Sequence, residues 1–305
     1  MITVHGIPAI NFASKNDEEF DSLFSMMGFK KMGTNLFSQN QILFTVNSTP
    51  GSKEFTELHG PSVSGFSFLV DTDDNIEPME GIGGSKLEFI SLDKFFNSHY
   101  MVDSGWEDPA NNGVGLELID HLTNNVYPGN MDKWADFYQK NFGFEEVHFF
   151  DINGQSTGLV SRAMSNGTVS IPINEDKSDD GQIAAYLNEY KGEGVQHIAM
   201  TTSNIYDTVM KMRNNGVEFL DVPDTYYEDI ENRIPNHNEF LDMLQENKIL
   251  IDGKHGEILL QIFTKTYVGP IFFEIIQRKN NNNFGEGNFK ALFEAIERDM
   301  AENGG

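Results

Sequence analysis

Residues 269–278, GPIFFEIIQR, alternate as a strand does: Ile271, Phe273 and Ile275 fall on one face, and Phe272, Glu274 and Ile276 on the other. Both faces are apolar, so the pattern predicts a strand buried on both sides with one carboxylate inside it. A buried carboxylate either loses its charge or finds a partner. Two other strand-like runs, LELIDHLTNN and GVQHIAM, each carry an imidazole, His121 and His197. Helical spacing is clearest in MDKWADFYQKNFGF (131–144), where Trp134, Phe137, Tyr138 and Phe142 recur and Gly143 can close the end. In 201–220, Ile205, Val209 and Met212 make a stripe, with Ser203 as the expected N-cap and Gly216 as the stop. The stretch 288–300 predicts a last amphipathic helix, with Phe289, Leu292, Phe293 and Ile296 on one side.

These elements recur. Residues 8–33 and 118–148 both read strand, helix, Gly-Phe, strand, and GPSVSGFSFLVDT (60–72) resembles GEGVQHIAMTT (192–202). The period is too long for a solenoid and fits two pseudo-symmetric halves, each made of two β-rich modules. The expected boundary lies near 103–114, giving an N-terminal domain 1–108 and a C-terminal domain 109–305. The first half carries about Asn11 and Gly65 where the second has His121 and His197. Its role is therefore expected to be structural, with the chemistry after residue 114.

Composition narrows the classes. The 305 residues hold 21 basic and 47 acidic side chains, a net charge of −26, and no basic patch offsets it. Such a field repels phosphate backbones, so nucleic acid is not an expected partner. The 39% apolar content supports a sizeable core, and no apolar run reaches the length of a membrane span. The first residues lack the pattern of a secretory signal. There is no cysteine, which removes disulfides, thiol nucleophiles and cysteine zinc sites together and fits a cytoplasmic protein. The acidic run 174–182 and KNNNN (279–283) read as polar loops. Neither FGEGNF nor GIGGS completes a phosphate-binding glycine motif.

His121, His197 and Glu274 are the residues on which chemistry can rest. Two imidazoles and one carboxylate on neighbouring strands form the facial triad of non-haem Fe(II) oxygenases, which leaves metal positions open for substrate and O2. Each residue also has a plainer reading, as a hydrogen-bonded structural histidine or an edge-strand glutamate. Asp120 is a rival ligand, though strand alternation is expected to turn it to the opposite face. Histidines 5, 59, 99, 148, 237 and 255 read as surface or structural residues.

The same stretches carry a family resemblance. LELIDHLTNNVYPGNMDKWADFYQKNFGF, GEGVQHIAM, VPDTYYEDI, HGPSVSGFSFLV and, most specifically, LLQIFTKTYVGPIFFEIIQRKNNNNFGEGNFKALFEAIERDM resemble the 4-hydroxyphenylpyruvate dioxygenase family of the vicinal-oxygen-chelate superfamily, over nearly all of 8–300. The resemblance implies an α+β fold of two open β-barrel domains built from βαβββ modules, closed by a C-terminal gating helix. It implies Fe(II) on His121, His197 and Glu274. It implies a substrate pocket of Ser161, Asn174, Gln182, Gln196, Gln261, Phe263, Phe272, Phe284, Asn288 and Phe289, with Gln196, Gln261 and Asn174 serving catalysis.

The activity implied is conversion of 4-hydroxyphenylpyruvate and O2 to homogentisate and CO2, in tyrosine and phenylalanine catabolism. The partners implied are a small aromatic 2-oxo acid and O2, with no membrane or nucleic acid, in a homo-oligomer (dimer or tetramer). Three rivals stand beside this: 4-hydroxymandelate synthase, an extradiol ring-cleaving dioxygenase, and a metal-free binding protein of the same fold. The chain departs from the family near 72–80, where a helix and part of a strand, about 20 residues, are expected from the resemblance and are missing. Such a loss is expected to uncover a sheet face.

Overall fold

A computed structural model describes residues 1–98, 101, 103, 108, 112–153, 158–179 and 181–291. The alternating runs form β1 (Val4–Ala13), β2 (Lys30–Lys31), β3 (Leu36–Gln39), β4 (Ile42–Asn47), β5 (Ser62–Val70), β6 (Met79–Glu80) and β7 (Lys86–Ser91), then β8 (Ile119–Val126), β9 (Glu145–Asn153), β10 (Gly158–Ser165), β11 (Ser170–Asp176), β12 (Gly194–Thr201), β13 (Leu250–Lys254), β14 (Glu257–Phe263) and β15 (Phe272–Lys279). Among the described residues they make two sheets, ordered β2-β3-β4-β1-β5-β7-β6 and β13-β14-β15-β12-β8-β11-β10-β9.

The two orders follow one scheme. A central antiparallel pair, β1 with β5 or β8 with β12, is flanked on each side by a parallel neighbour. Helices α1 (Asp21–Met26), α2 (Pro50–His59), α3 (Leu92–Phe96), α4 (Met131–Phe142), α5 (Gln182–Tyr190), α6 (Ile205–Asn214), α7 (Ile230–Arg233) and α8 (Leu241–Asn247) connect the strands.

Local chemistry accounts for the helix ends. Helix α4 buries Trp134, Ala135, Tyr138 and Phe142, and Gly143 ends it in the left-handed region, at φ 69°. Helix α6 starts later than its pattern predicts. Asn204, not Ser203, caps it, its side chain accepting from the Asp207 amide. The predicted last helix begins two residues early, with 286–291 helical, and 292–300 lie outside the described residues. Of the acidic run 174–182, Asn174–Asp176 complete β11 and Gln182 opens α5, which leaves a short connection between them.

The expected gap is visible in the connections. From β12 to β15 the chain passes α6, α7, α8, β13 and β14, whereas from β5 to β7 it passes only the two-residue β6 and a turn at 82–84. The sheet face beside that gap is nevertheless covered. Phe68 of β5 meets Phe142 and Phe144 at centroid distances of 5.0 and 6.3 Å, and Phe89 of β7 meets Phe142 at 6.1 Å. The opposite face is filled as well: Phe95 of α3 and Met101 bury Ala9, Leu36, Leu43 and Leu69. Where the second sheet curls around a site, the first curls around packed side chains.

The halves are tied at several points. One apolar cluster runs through both, from Val4 and Phe68 to Trp134, Ile198 and Phe273. The β3–β4 turn clips the linker: Gln39 Oε1 accepts from the amides of Val114 and Leu116, its Nε2 donates to the Met27 carbonyl, and Asn40 donates to the Leu116 carbonyl at 2.5 Å. Gly83, at φ 66°, presses so close to β12 that a Cβ there would stand 1.9 Å from the Glu193 carbonyl oxygen. His59 hydrogen-bonds the Tyr190 carbonyl at 2.8 Å and stacks on the Tyr190 ring.

Gln39 is almost fully buried and fully used. Its replacement strands two amides and a carbonyl away from water. Gln39→Ala is expected to lower unfolding free energy by about 2–4 kcal/mol in a denaturant titration. A loss under about 0.5 kcal/mol, the range of ordinary surface substitutions, would show that the clip is dispensable.

Candidate metal centre

Sheet register brings the three predicted ligands together. Strands β15, β12 and β8 lie side by side. Ala199 of β12 pairs with His121 on one side and Glu274 on the other, so these two side chains share a row with only a methyl group between them. His197 stands two residues away on β12, on the same face. The Nε2 atoms of His121 and His197 are 3.3 Å apart, and each is 3.3 Å from Oε2 of Glu274. Three ligand atoms at the corners of this triangle leave one side open. All three residues are buried, and among the described residues they form the one cluster spaced to hold a metal ion.

Each ligand is held from behind. His121 Nδ1 lies 2.6 Å from Oδ1 of Asp120, and His197 Nδ1 lies 3.0 Å from Oε1 of Gln196. With Nδ1–H donated to those oxygens, Nε2 is turned to the cluster in both rings. Oε1 of Glu274 accepts from Gln261 Nε2 at 2.7 Å, which frees Oε2 for the open side. Alternation alone would send Asp120 and Gln196 to the far face. The β8–β12 ladder slips by one residue at both places, between Ile119 and His121 and between Val195 and His197. Asp120 and Gln196 are the extra residues of two β-bulges, and a bulge re-aims the side chain it carries. The expectation that Asp120 faces away is thereby corrected.

The electrostatics follow from this packing. Burial alone would lower the pKa of His121, but hydrogen bonds and charge from Asp120 and Glu274 raise it to about 9. Burial lowers that of His197, and the charge on His121 adds to this against the pull of Glu274. Burial works to raise the Glu274 and Asp120 carboxyls, yet the two imidazoles hold Glu274, and Arg278 and His121 hold Asp120, well below the usual carboxylate range. The metal-free cluster is therefore a protonated imidazole between two carboxylates, a charge pattern that a divalent cation can replace.

Aromatic rings and amides wall the site. Phe272 stacks on His197 at 4.9 Å, and Phe263 stands edge-on to both. Phe284 is edge-on to His121 at 5.4 Å and to His148 at 5.8 Å. Beyond it opens a cavity of about 420 Å³ lined by His148, Phe150, Asp252, Lys254 and Asn283 among others. Further along the sheet, Ser161, Asn174 and Asn125 line up in register across β10, β11 and β8. The Asn125 Nδ2 atom is buried and has no hydrogen-bond partner among the described residues. The helical turn 286–291 is joined to the cluster by amides: Asn288 Nδ2 donates to Gln261 Oε1 at 2.8 Å, and the Tyr226 hydroxyl donates to Asn288 Oδ1 at 2.7 Å.

The structure thus gathers His121, His197, Glu274, Gln196, Gln261, Phe263, Phe272, Phe284 and Asn288, with Ser161 and Asn174 in the polar row. Gln261 has both ends of its amide engaged, on Glu274 and Asn288. Gln182 lies exposed in the first turn of α5, and Phe289 is 38% exposed; neither makes a described contact with the cluster. Sequence reasoning did not assign Asn125 or Arg278, and it placed Asp120 on the wrong face. Of the other histidines, His59 joins the two halves, His148 lines the cavity, and His99 lies outside the described residues. On the first sheet Asn11 bonds Thr45 and Glu88, so that face keeps a carboxylate, with an amide where the second sheet has His121.

Comparison with known proteins gives a consistent picture. The family model described as "Glyoxalase/Bleomycin resistance protein/Dioxygenase superfamily" matches residues 118–231, and the one described as "Hydroxyphenylpyruvate dioxygenase, HPPD, N-terminal" matches residues 1–88. A 4-hydroxyphenylpyruvate dioxygenase of Pseudomonas aeruginosa is 45% identical over 95% of this chain and 92% of its own length. A protein named Hemolysin VllY, of Vibrio vulnificus, is 46% identical over 94% of this chain and 91% of its own. Among solved structures, a triple mutant of 4-hydroxymandelate synthase from Streptomyces coelicolor superposes with a TM-score of 0.78 at 22% identity, over 97% of this chain and 99% of that one. At that identity the likeness is one of fold.

One divalent metal ion per chain is expected to bind, and Glu274→Gln to weaken it by well over tenfold, since a neutral amide replaces the charged ligand. Asp120 and Glu274 raise the pKa of His121, so metal entry there is expected to displace a proton. Calorimetry in buffers of different ionisation enthalpy is expected to register about one proton released per metal bound at pH 7. No release would mean that His121 is neutral in the metal-free protein.

Proposed function

The chain belongs to the 4-hydroxyphenylpyruvate dioxygenase family, and from that premise we propose that His121, His197 and Glu274 hold one Fe(II) ion at which 4-hydroxyphenylpyruvate and O2 become homogentisate and CO2. The observation that carries this is the triangle of two Nε2 atoms and one carboxylate oxygen, each 3.3 Å from the others, beside the rings of Phe263, Phe272 and Phe284. Two imidazoles and a carboxylate, all turned to one side, fit a facial three-ligand site for Fe(II). When bound, the ion would be chelated by the 2-oxo acid and would activate O2.

The chain's own residues supply position and exclusion. Oε1 of Glu274 stays with Gln261, so Oε2 is the oxygen offered to the metal. Asp120 and Gln196 keep both Nδ1 protons in place, which fixes the imidazoles as Nε2 ligands. Phe263, Phe272 and Phe284 surround the ligand cluster with rings that keep water from it and can stack on the ring of an aromatic substrate. Ser161 and Asn174 offer a hydroxyl and an amide to the polar end of such a substrate, and Asn125 supports Asn174 across the ladder at 3.4 Å. Gln261 acts through Glu274 and Asn288, its amide being engaged at both ends. We assign the chemistry to a domain spanning 109–305 and a supporting role to 1–108, whose equivalent face carries Asn11 and Glu88 and is packed with Phe95 and Met101.

The fold is shared with 4-hydroxymandelate synthase, so the product is the discriminating observation. Fe(II)-loaded protein given 4-hydroxyphenylpyruvate is expected to consume O2 and release CO2 and homogentisate in equal amounts, measured with an oxygen electrode and chromatography. Hydroxymandelate in place of homogentisate would move the assignment to the synthase reaction. No O2 uptake with iron bound would overturn it.

A further inference from the structure

Arg278 stands four residues beyond Glu274 on β15 and ligates nothing in the triangle. Its guanidinium grips Asp120 twice, from Nε to Oδ2 at 2.7 Å and from Nη2 to Oδ1 at 2.8 Å. That same Asp120 Oδ1 is 2.6 Å from Nδ1 of His121. The remaining nitrogen, Nη1, donates to the carbonyls of Asn281 at 3.1 Å and Asn283 at 2.7 Å. The next side chain, Phe284, lies with its ring 5.6 Å from the Arg278 carbon and 5.4 Å from the His121 ring. One guanidinium therefore touches the support of a metal ligand, the backbone leading into the turn 286–291, and the ring that separates the ligands from the outer cavity.

We propose that Arg278 is a positioning residue that locks His121, through Asp120, to the segment 281–284, so that metal binding and the order of that segment depend on each other. This rests on the metal-centre assignment above. Four directed bonds in one plane need the fork of a guanidinium; an ammonium at this place reaches fewer of them. The β-bulge turns Asp120 to the side of His121, and the arginine fork, on both carboxylate oxygens, holds it against the imidazole. Removing it leaves a largely buried carboxylate whose one described partner is His121, and frees two backbone carbonyls at the mouth of the site. Coupling of this kind is reciprocal: a metal that fixes His121 must also steady 281–284.

The test uses the full chain and Co(II) as the metal, with wild type, Arg278→Gln, Arg278→Lys, Asp120→Asn and the double variant Asp120→Asn/Arg278→Gln. Calorimetry and the cobalt ligand-field spectrum report affinity and geometry at the cluster. Hydrogen exchange of the peptide covering 281–288, with and without Co(II), reports the segment. Wild type is expected to bind one Co(II) and to slow exchange in 281–288 on binding. Arg278→Gln is expected to bind Co(II) about 10- to 100-fold more weakly, the usual cost of losing an outer support, and to lose the metal-dependent slowing. Asp120→Asn should match it, and the double variant should be no worse than either, because the two act as one unit.

Near-ultraviolet dichroism checks that the variants are folded. Should Arg278→Gln fail to fold, Arg278→Lys carries the test, with a smaller loss of affinity and incomplete slowing expected. Affinity within twofold of wild type, or full metal-dependent slowing, in the variant that carries the test overturns the proposal. A wild-type chain that binds no Co(II) overturns the metal-centre assignment itself, and the lock with it.

Discussion

A carboxylate with no access to water organises this molecule. Glu274 is 2% exposed, flanked in its strand by Phe272, Phe273, Ile275 and Ile276, and an ionised carboxylate there is tolerable only if other groups replace the solvent it has lost. Two imidazoles and one amide do so: His197 and Gln261 come from the flanking strands β12 and β14, and His121 from β8, one strand further on. The order of the second sheet can thus be understood from its centre outward. Two of the strands that carry charge-compensating groups flank the strand that carries the charge, and Ala199 of β12 leaves room for His121 of β8 to reach across to it.

Around that centre the supports become progressively less local. The nearest, Asp120 and Gln196, sit beside the histidines in the chain and are aimed by bulges. The next, Gln261 and Arg278, come from other turns of the sheet. The last, Asn288 and the carbonyls of Asn281 and Asn283, belong to the segment that follows β15. Two separate hydrogen-bond chains, one from Glu274 through Gln261 and one from His121 through Asp120 and Arg278, end on that segment within a few residues of each other. The pocket wall and the ligand cluster are in this sense one network, with Phe284 held between its two ends.

The parts of this that were legible in the sequence are those governed by period. Alternation gave the strands and faces of His197 and Glu274, helical spacing gave α4, and the long repeat gave two sheets of one scheme. The ligand set followed from three strands each carrying one candidate group, and family likeness supplied most of the pocket. The parts that were not legible are those where period breaks. A one-residue bulge is invisible in a hydrophobic pattern, so Asp120 was assigned to the wrong face. Asn204 and Ser203 are both good caps, and the choice depends on where the preceding strand lets go. Arg278 and Asn125 read as ordinary strand residues, because the partners that join them to the site, Asp120 and Asn174, lie far off in the chain. That Gln261 has no free end could not be inferred from its own neighbourhood in the chain. The shortened first half was legible as a gap, but its remedy, rings donated by α4 and its following strand, was not.

That shared aromatic packing makes the first sheet part of what supports the second. The first sheet carries a carboxylate, Glu88, on the face equivalent to the site, hydrogen-bonded by Asn11, and Phe95 and Met101 fill that face. Phe68 packs on Phe142 and Phe144 of the second half, Phe89 packs on Phe142, and Gln39 and Asn40 of the first half hold the backbone of Val114 and Leu116. The first sheet is thus a lining for the second. Its short β5–β7 connection still reaches across the seam, where Gly83 lies against the Glu193 carbonyl. Substitutions in the first half should therefore be felt by the second chiefly at Phe68, Phe89, Gln39 and Gly83, where the two lean on each other.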